Sequence, residues 1–174
     1  MASLSDNDFE LFGLPLQFAI QPEGLTQAYL QLQNQMHPDR YTDAPPSERR
    51  MAAQWSTRIN EAYKRLQNPT DRAIYLCELA GLDPRGHQSK LPAELLMQQM
   101  EWREQLAEAD SVEQLEDLLD EVAAAKRQRL TQIATQIDEQ NDVTAASANT
   151  QALLFIEKLI VDIKKHIEHL EDAQ

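Results

Sequence analysis

Apolar residues recur every three or four positions along most of the chain, a spacing that places them on one face of an α-helix. In the N-terminal half, two stripes predict a pair of long helices: Leu25, Tyr29, Leu32 and Met36 in the first, and Met51, Trp55, Ile59, Ala62 and Leu66 in the second. Pro22 suits the first turn of one helix, and Ser47 can cap the other. We also expect a short helix over residues 6–14 before this pair and a fourth helix, from a cap at Thr70 to Gly81, after it.

The second half of the chain shows the same periodicity in longer segments. Residues 81–91 include Pro84, Gly86 and Ser89 and predict a linker. Three helices are expected beyond it, over residues 92–109, 111–140 and 145–170, and their short connections favour an antiparallel bundle. We therefore predict an all-α protein with a four-helix N-terminal domain at 1–80 and a three-helix bundle at 92–174.

Composition narrows the function classes. The chain has 174 residues, only 4 of them glycine, and a formal net charge of −13. Such an acidic chain repels phosphate, so we expect neither nucleic acid nor an anionic membrane surface as a partner. The N-terminus lacks the pattern of a signal peptide, which together with a single cysteine, Cys77, favours a reducing, cytoplasmic location. Cys77 lies in an apolar helical stretch and is expected to be a small buried side chain.

His37-Pro38-Asp39 stands where the second predicted helix must stop, followed by Arg40 and Tyr41. Proline lacks a backbone N–H and forces the preceding residue out of helical geometry, so an imidazole and a carboxylate are displayed on a stiff corner. Asp39 can accept a bidentate contact from a partner arginine, or it can cap its own loop. His37 can contact a partner or only shape the loop, and this choice stays open.

The helix predicted from Pro92 has two apolar faces instead of one. At about 100° per residue, one face carries a normal core stripe: Leu95, Trp102, Leu106 and Ala109. The opposite side combines apolar and acidic residues: Leu96, Met97 and Met100, with Glu101, Glu104 and Glu108. Methionine-containing patches suit adaptable binding surfaces, so this side is a candidate binding site; packing against the N-terminal domain is the alternative.

These helices, hinged at His-Pro-Asp, resemble the J domain of DnaJ-type co-chaperones, and further segments resemble the HscB family of iron–sulfur cluster biogenesis. The segments are FELFGLP at 9–15, INEAY at 59–63, LQNP at 66–69, RAIYL at 72–76, LMQQME at 96–101 and LFIEKL at 154–159. The resemblance implies that His37, Pro38, Asp39 and Arg40 contact an HscA-type, DnaK-family chaperone and stimulate its ATPase. It implies that the bundle binds an IscU-type scaffold through the apolar and acidic patch together with Phe155. It implies no cofactor and no enzymatic activity of its own.

The chain departs from the J-domain pattern on its second helix. No basic residue occurs between Glu23 and Met36, where J domains usually carry lysine and arginine, and the exposed positions hold amides: Gln27, Gln31, Asn34 and Gln35. Three other functions stay open. They are a general J-domain co-chaperone with a different client, a small helical metalloenzyme using His37 and Asp39, and a purely structural adaptor. His166 and His169 are a weaker metal candidate, because three-residue spacing also fits a solvated helix face.

Overall fold

The computed structural model describes residues 2–86 and 91–173, and within them every regular element is a helix, which confirms the all-α prediction. The α-helices are α1 (Asp8–Leu11), α2 (Pro22–Met36), α3 (Pro46–Gln67), α4 (Pro69–Leu79), α5 (Ala93–Glu108), α6 (Val112–Ala134) and α7 (Val143–Asp172). A 3₁₀ turn follows α2 over Pro38–Tyr41, and a π turn follows α6 over Thr135–Glu139.

Three local predictions were wrong in detail. The first helix is only one turn long, because Asn7 and Glu10 form a capping box at its start and the chain reverses at Gly13, whose φ is +64°. Helix α3 begins with Pro46 and has no side-chain cap, so Ser47 lies inside it. The cap of α4 is Asn68, whose Oδ1 accepts from the backbone N–H groups of the two residues after Pro69 at 2.9 and 3.2 Å.

The chain divides into two compact units, Met1–Leu76 and Cys77–Gln174. The predicted domain ended at 80, and the predicted linker at 81–91 includes residues 87–90, which lie outside the described residues. These boundaries stay a prediction. Helix α4 ends before Gly81, as expected, where a φ of +81° lets the chain turn.

In the first unit, α2 and α3 pack side by side on the predicted apolar stripes. Leu25 of α2 and Ile59 of α3 are buried, and the rings of Tyr29 and Tyr63 stack with centroids 4.2 Å apart. Asn60 fixes the register, because its Oδ1 accepts from the Tyr29 hydroxyl at 2.9 Å and also from a glutamine amide of α2. This packing positions the loop between the two helices. Met51, expected in the stripe, is instead exposed.

A buried carboxylate fastens the short α1 to the rest of the first unit. Asp8 is fully buried, and its two oxygens accept from the guanidinium groups of Arg58 at 2.7 Å and Arg65 at 3.0 Å. Its backbone N–H donates to the Tyr75 hydroxyl at 3.0 Å, and Arg65 also lies over the Tyr75 ring. Because each charge is paired, the carboxylate can stay buried without an uncompensated desolvation cost.

The second unit is a three-helix bundle with one apolar core. Its buried residues come from α5 (Trp102, Leu106), α6 (Leu115, Leu118, Val122) and α7 (Ile156, Leu159, Ile163). Asp142 caps α7 by accepting from the backbone N–H of Ala145 at 3.0 Å, after a tight turn in which Asn141 has a φ of +52°. The bundle leaves one side of α5 uncovered by α6 and α7.

Candidate functional site

The loop after α2 is held by two side chains that reach back to the helix they follow. Helix α2 ends at Met36, and His37 takes an extended conformation ahead of Pro38. The Arg40 guanidinium then donates to the backbone carbonyl of Asn34, and the Tyr41 hydroxyl donates to that of Gln35 at 3.3 Å. Both carbonyls belong to the last turn, which the ended helix leaves without partners. Arg40 therefore has a structural task in addition to its predicted contact with a chaperone.

His37 shapes the loop through its ring nitrogen. Its Nδ1 accepts from the backbone N–H of Asp39 at 3.2 Å and lies 3.5 Å from the Asp39 carboxylate. A ring nitrogen that accepts a hydrogen bond carries a lone pair, so it cannot at the same time donate to the carboxylate. When Nδ1 accepts this hydrogen bond, the imidazole is neutral and carries its proton on Nε2. In that form His37 closes a turn and makes no ion pair.

The Asp39 carboxylate is displayed without being used by its own loop. Its side chain is 85% exposed, and its one polar side-chain neighbour among the described residues is His37 Nδ1 at 3.5 Å, which already accepts from the Asp39 backbone N–H. The alternative in which Asp39 caps its own loop does not match this geometry. Pro38 and the contacts that Arg40 and Tyr41 make with α2 fix the backbone beneath it, so the charged carboxylate lies on a rigid loop.

The exposed face of α2 beside this loop is uncharged. Gln27, Gln31, Asn34 and Gln35 are all exposed, as the helical pattern predicted. Leu30 is exposed among them and was not predicted as a surface residue. Its position five residues after buried Leu25, more than a quarter turn off the core stripe, could have indicated this. The face therefore offers amide groups around one aliphatic side chain.

Helix α5 shows the two faces that its sequence predicted. Leu95, Trp102 and Leu106 are buried in the bundle. Leu96, Met97 and Met100 are exposed by 46%, 62% and 72% of their surface. The three glutamates of the predicted site, Glu101, Glu104 and Glu108, are exposed as well. Three large apolar side chains exposed on two successive turns form a patch that the core does not require.

The structure brings Phe155 of α7 beside one edge of this patch. Phe155 is half-buried, and the Arg103 guanidinium of α5 covers its ring with the central carbon 5.2 Å from the ring centroid. Arg103 also donates to the Asp162 carboxylate of α7 at 2.9 Å. Arg103 was not predicted from the sequence. Its spacing of seven residues from Leu96 and three from Met100 places it on their side of α5.

The acidic residues lie on the other edge of the α5 surface. With about 100° per residue, Glu101 and Glu108 lie roughly 140° to 160° round the helix from Arg103, and Glu104 lies between. Glu108 also lines a cleft of about 400 Å³ with Asp117 and Glu121 of α6. The Glu121 carboxylate in this cleft accepts from the Trp102 indole N–H at 2.8 Å. The predicted client site thus has an apolar edge next to Phe155 and an acidic edge away from it.

In the described residues, two side chains have a shifted pKa, and neither shift creates a reactive group. Burial raises the pKa of the Cys77 thiol, which keeps it protonated and unreactive near neutral pH. Burial lowers the pKa of Arg129, whose guanidinium donates to Asn149 at 3.0 Å, and arginine still stays charged. No group of three or more His, Cys, Asp or Glu is placed to hold a metal in residues 2–86 or 91–173. Within the same residues, no helix has the length and apolar character to cross a membrane.

The chain is similar to known proteins of one family. The family model of the HSCB C-terminal oligomerisation domain matches residues 91–164. The co-chaperone protein HscB homolog of Burkholderia thailandensis is 43% identical over 175 residues, covering 98% of this chain and 99% of its own. That of Bordetella petrii is 44% identical over 161 residues, covering 91% and 95%.

Two solved structures are similar to this chain along most of its length. Chaperone HscB from Vibrio cholerae superposes with a TM-score of 0.79 at 36% identity, over 95% of this chain and 99% of its own. The human co-chaperone protein HscB superposes with a TM-score of 0.84 at 25% identity, over 93% and 82%.

Proposed function

The chain belongs to the HscB family of co-chaperones, and from this premise we propose that it couples two partners. Its first unit stimulates the ATPase of an HscA-type, DnaK-family chaperone. Its second unit binds an IscU-type iron–sulfur scaffold and delivers it to that chaperone, which supports the maturation of iron–sulfur proteins. In this role the protein is a cytoplasmic adaptor and not an enzyme.

One observation carries the proposal: a single chain displays two exposed features, in different units, that its own fold leaves unused. The first is the Asp39 carboxylate, exposed on a loop whose backbone is fixed by His37 and Arg40. The second is the apolar patch of Leu96 and Met97 with its neighbours on α5. A regulator that acts on one protein and carries another needs two such features.

The chemistry at the first feature fits contact with a cationic group. A carboxylate held on a preorganised loop loses little entropy when it pairs with a guanidinium, and such a pair fixes orientation as well as energy. We propose that Asp39 accepts this contact from the chaperone. Pro38 and His37 set the loop shape, and Arg40 keeps the loop attached to α2. The metalloenzyme alternative has no comparable support, because no group of three or more His, Cys, Asp or Glu within residues 2–86 and 91–173 is placed to hold a metal.

The chemistry at the second feature predicts the matching surface of the client. Its contact surface should present apolar side chains to Leu96, Met100 and Phe155. Basic side chains should lie beside them, opposite Glu104 and the acidic cleft at Glu108. Apolar contacts at the centre with complementary charges at the rim are usual for specific protein interfaces. A client without that pairing should bind weakly.

A steady-state ATPase assay tests both halves together. The HscA-type chaperone is assayed alone, with this protein, with the scaffold, and with both. We expect modest stimulation by this protein alone and a greater than additive rate with both. Stimulation without synergy would instead favour a general J-domain co-chaperone with another client. No stimulation at all would favour the structural adaptor and contradict the proposal.

A further inference from the structure

Arg103 joins α5 to α7 at the apolar edge of the predicted client surface. Its guanidinium carbon lies 5.2 Å from the Phe155 ring centroid, and its Nη1 donates to Asp162 at 2.9 Å. Phe155 and Asp162 are seven residues apart, so they lie on the same side of α7 two turns from each other. One side chain of α5 therefore contacts both.

The ring distinguishes this contact from an ordinary surface ion pair. Lys126 of α6 and Glu157 of α7 form a similar link, with 3.0 Å between Nζ and Oε1. Both pairs are about one third exposed, and such pairs contribute little to stability. Arg103 differs because its planar guanidinium stacks on an aromatic face, while Asp162 restricts where that plane can move. The guanidinium thereby limits the rotation of the Phe155 ring.

We infer that Arg103, held by Asp162, is a positioning residue that keeps Phe155 in the orientation in which it meets the client scaffold. The inference rests on the proposed function, since it concerns the same client surface. A partner that docks on an already ordered ring loses less side-chain entropy on binding than one that must order it. Loss of this ordering should lower the affinity for the scaffold and should not change the J-domain loop.

Titration calorimetry of the full-length protein with the IscU-type scaffold measures this effect. Arg103→Ala is expected to weaken binding about three- to tenfold, the range that a cation–π contact of this exposure supports. Arg103→Lys keeps the charge but loses the planar group, and should fall between the wild-type protein and the alanine variant. Asp162→Asn frees the guanidinium and is expected to cause a smaller loss.

A double-mutant cycle separates positioning from a general loss of structure. In a Phe155→Ala background the ring is gone, so Arg103→Ala should cause no further loss of affinity. The matched control is Lys126→Ala, which removes a comparable ion pair that joins α6 to α7 and does not involve α5. It should leave the affinity at the wild-type value. Thermal unfolding followed by circular dichroism should show similar small changes for Arg103→Ala and Lys126→Ala.

The possible results are distinct. Reduced affinity of Arg103→Ala that disappears in the Phe155→Ala background supports the positioning role. Unchanged affinity, or an equal loss in both backgrounds, overturns it and leaves the proposed client binding intact. If the wild-type protein does not bind the scaffold, the proposed function and this inference are both wrong.

Discussion

Asp39 is the residue on which the proposed ATPase stimulation depends most directly. Asp39→Asn keeps the side-chain volume but removes the charge that pairs with a cationic partner. Removing one member of a charged contact at an interface costs roughly 2–5 kcal/mol, so stimulation should fall at least about tenfold. Asp43→Asn, an exposed carboxylate four residues further on, is the matched control and should stimulate normally. Wild-type stimulation by Asp39→Asn, with unchanged helicity, would refute the assignment.

Arg40 is expected to act through the loop and not only through the partner. Arg40→Ala removes an exposed hydrogen bond to the Asn34 carbonyl, which costs about 0.5–1.5 kcal/mol of local stability and loosens the loop. The co-chaperone concentration for half-maximal stimulation should rise several-fold, because only part of the population presents Asp39 correctly. The maximal rate should stay near that of the wild-type protein, and loop amides should exchange faster with solvent. A lost maximal rate would indicate direct contact instead.

At the residue scale, the sequence predicted what depends on local chemistry. Pro38 dictates where α2 ends, so the exposed position of Asp39 could be expected from the chain alone. The role of Arg40 could not, because its guanidinium finds the Asn34 carbonyl only after the loop has turned back. Arg103 was missed for a related reason. Its partners Phe155 and Asp162 lie more than fifty residues away, and only the packed bundle brings them to it.

At the scale of elements, the uncharged face of α2 predicts a weak salt dependence of the chaperone interaction. Gln27, Gln31 and Asn34 offer amides where cations would otherwise speed association with an acidic partner. Stimulation measured across a series of KCl concentrations should change only mildly. A steep decrease with salt would show that long-range attraction operates through other residues, such as Arg49 and Arg50.

Adding charge to the exposed face of α2 tests the same prediction in the opposite direction. Gln27→Lys with Gln31→Lys adds two cations to the exposed face without touching the buried stripe. If the chaperone surface is acidic, this variant should stimulate at lower concentration in low salt and lose that advantage in high salt. Equal behaviour of variant and wild type would mean that the partner's surface opposite α2 is itself uncharged.

Helix periodicity explains why the elements were predictable and where prediction stopped. The two faces of α5 follow from spacing alone, because a helix repeats about every 3.6 residues and Leu95 and Leu96 must point in different directions. The π turn Thr135–Glu139 was predicted only as helix. There the backbone N–H of Gln140 donates to the Thr135 carbonyl at 3.0 Å, five residues back instead of the four of an α-helix. A single turn of this kind has no simple signal in the sequence.

At the scale of the whole molecule, the proposed function depends on both sites belonging to one chain. A tether holds a bound client at high effective concentration near the chaperone, which no mixture of separate sites provides. Replacing Leu96, Met97 and Phe155 together by alanine should weaken scaffold binding strongly while leaving stimulation by the J-domain loop intact. Leu96 and Met97 are exposed and Phe155 packs only on the edge of the core, so the buried residues of the bundle are retained.

The requirement for one chain is tested by mixing two defective variants in the ATPase assay. Asp39→Asn is expected to bind the scaffold but stimulate poorly, and the triple alanine variant is expected to stimulate but bind the scaffold weakly. If tethering matters, the mixture with scaffold should show only the stimulation of the triple variant, without the synergy of the wild-type protein. Restored synergy in the mixture would mean that the scaffold reaches the chaperone unaided. Each variant alone with scaffold is the control, and the wild-type protein at the same total concentration sets the full effect.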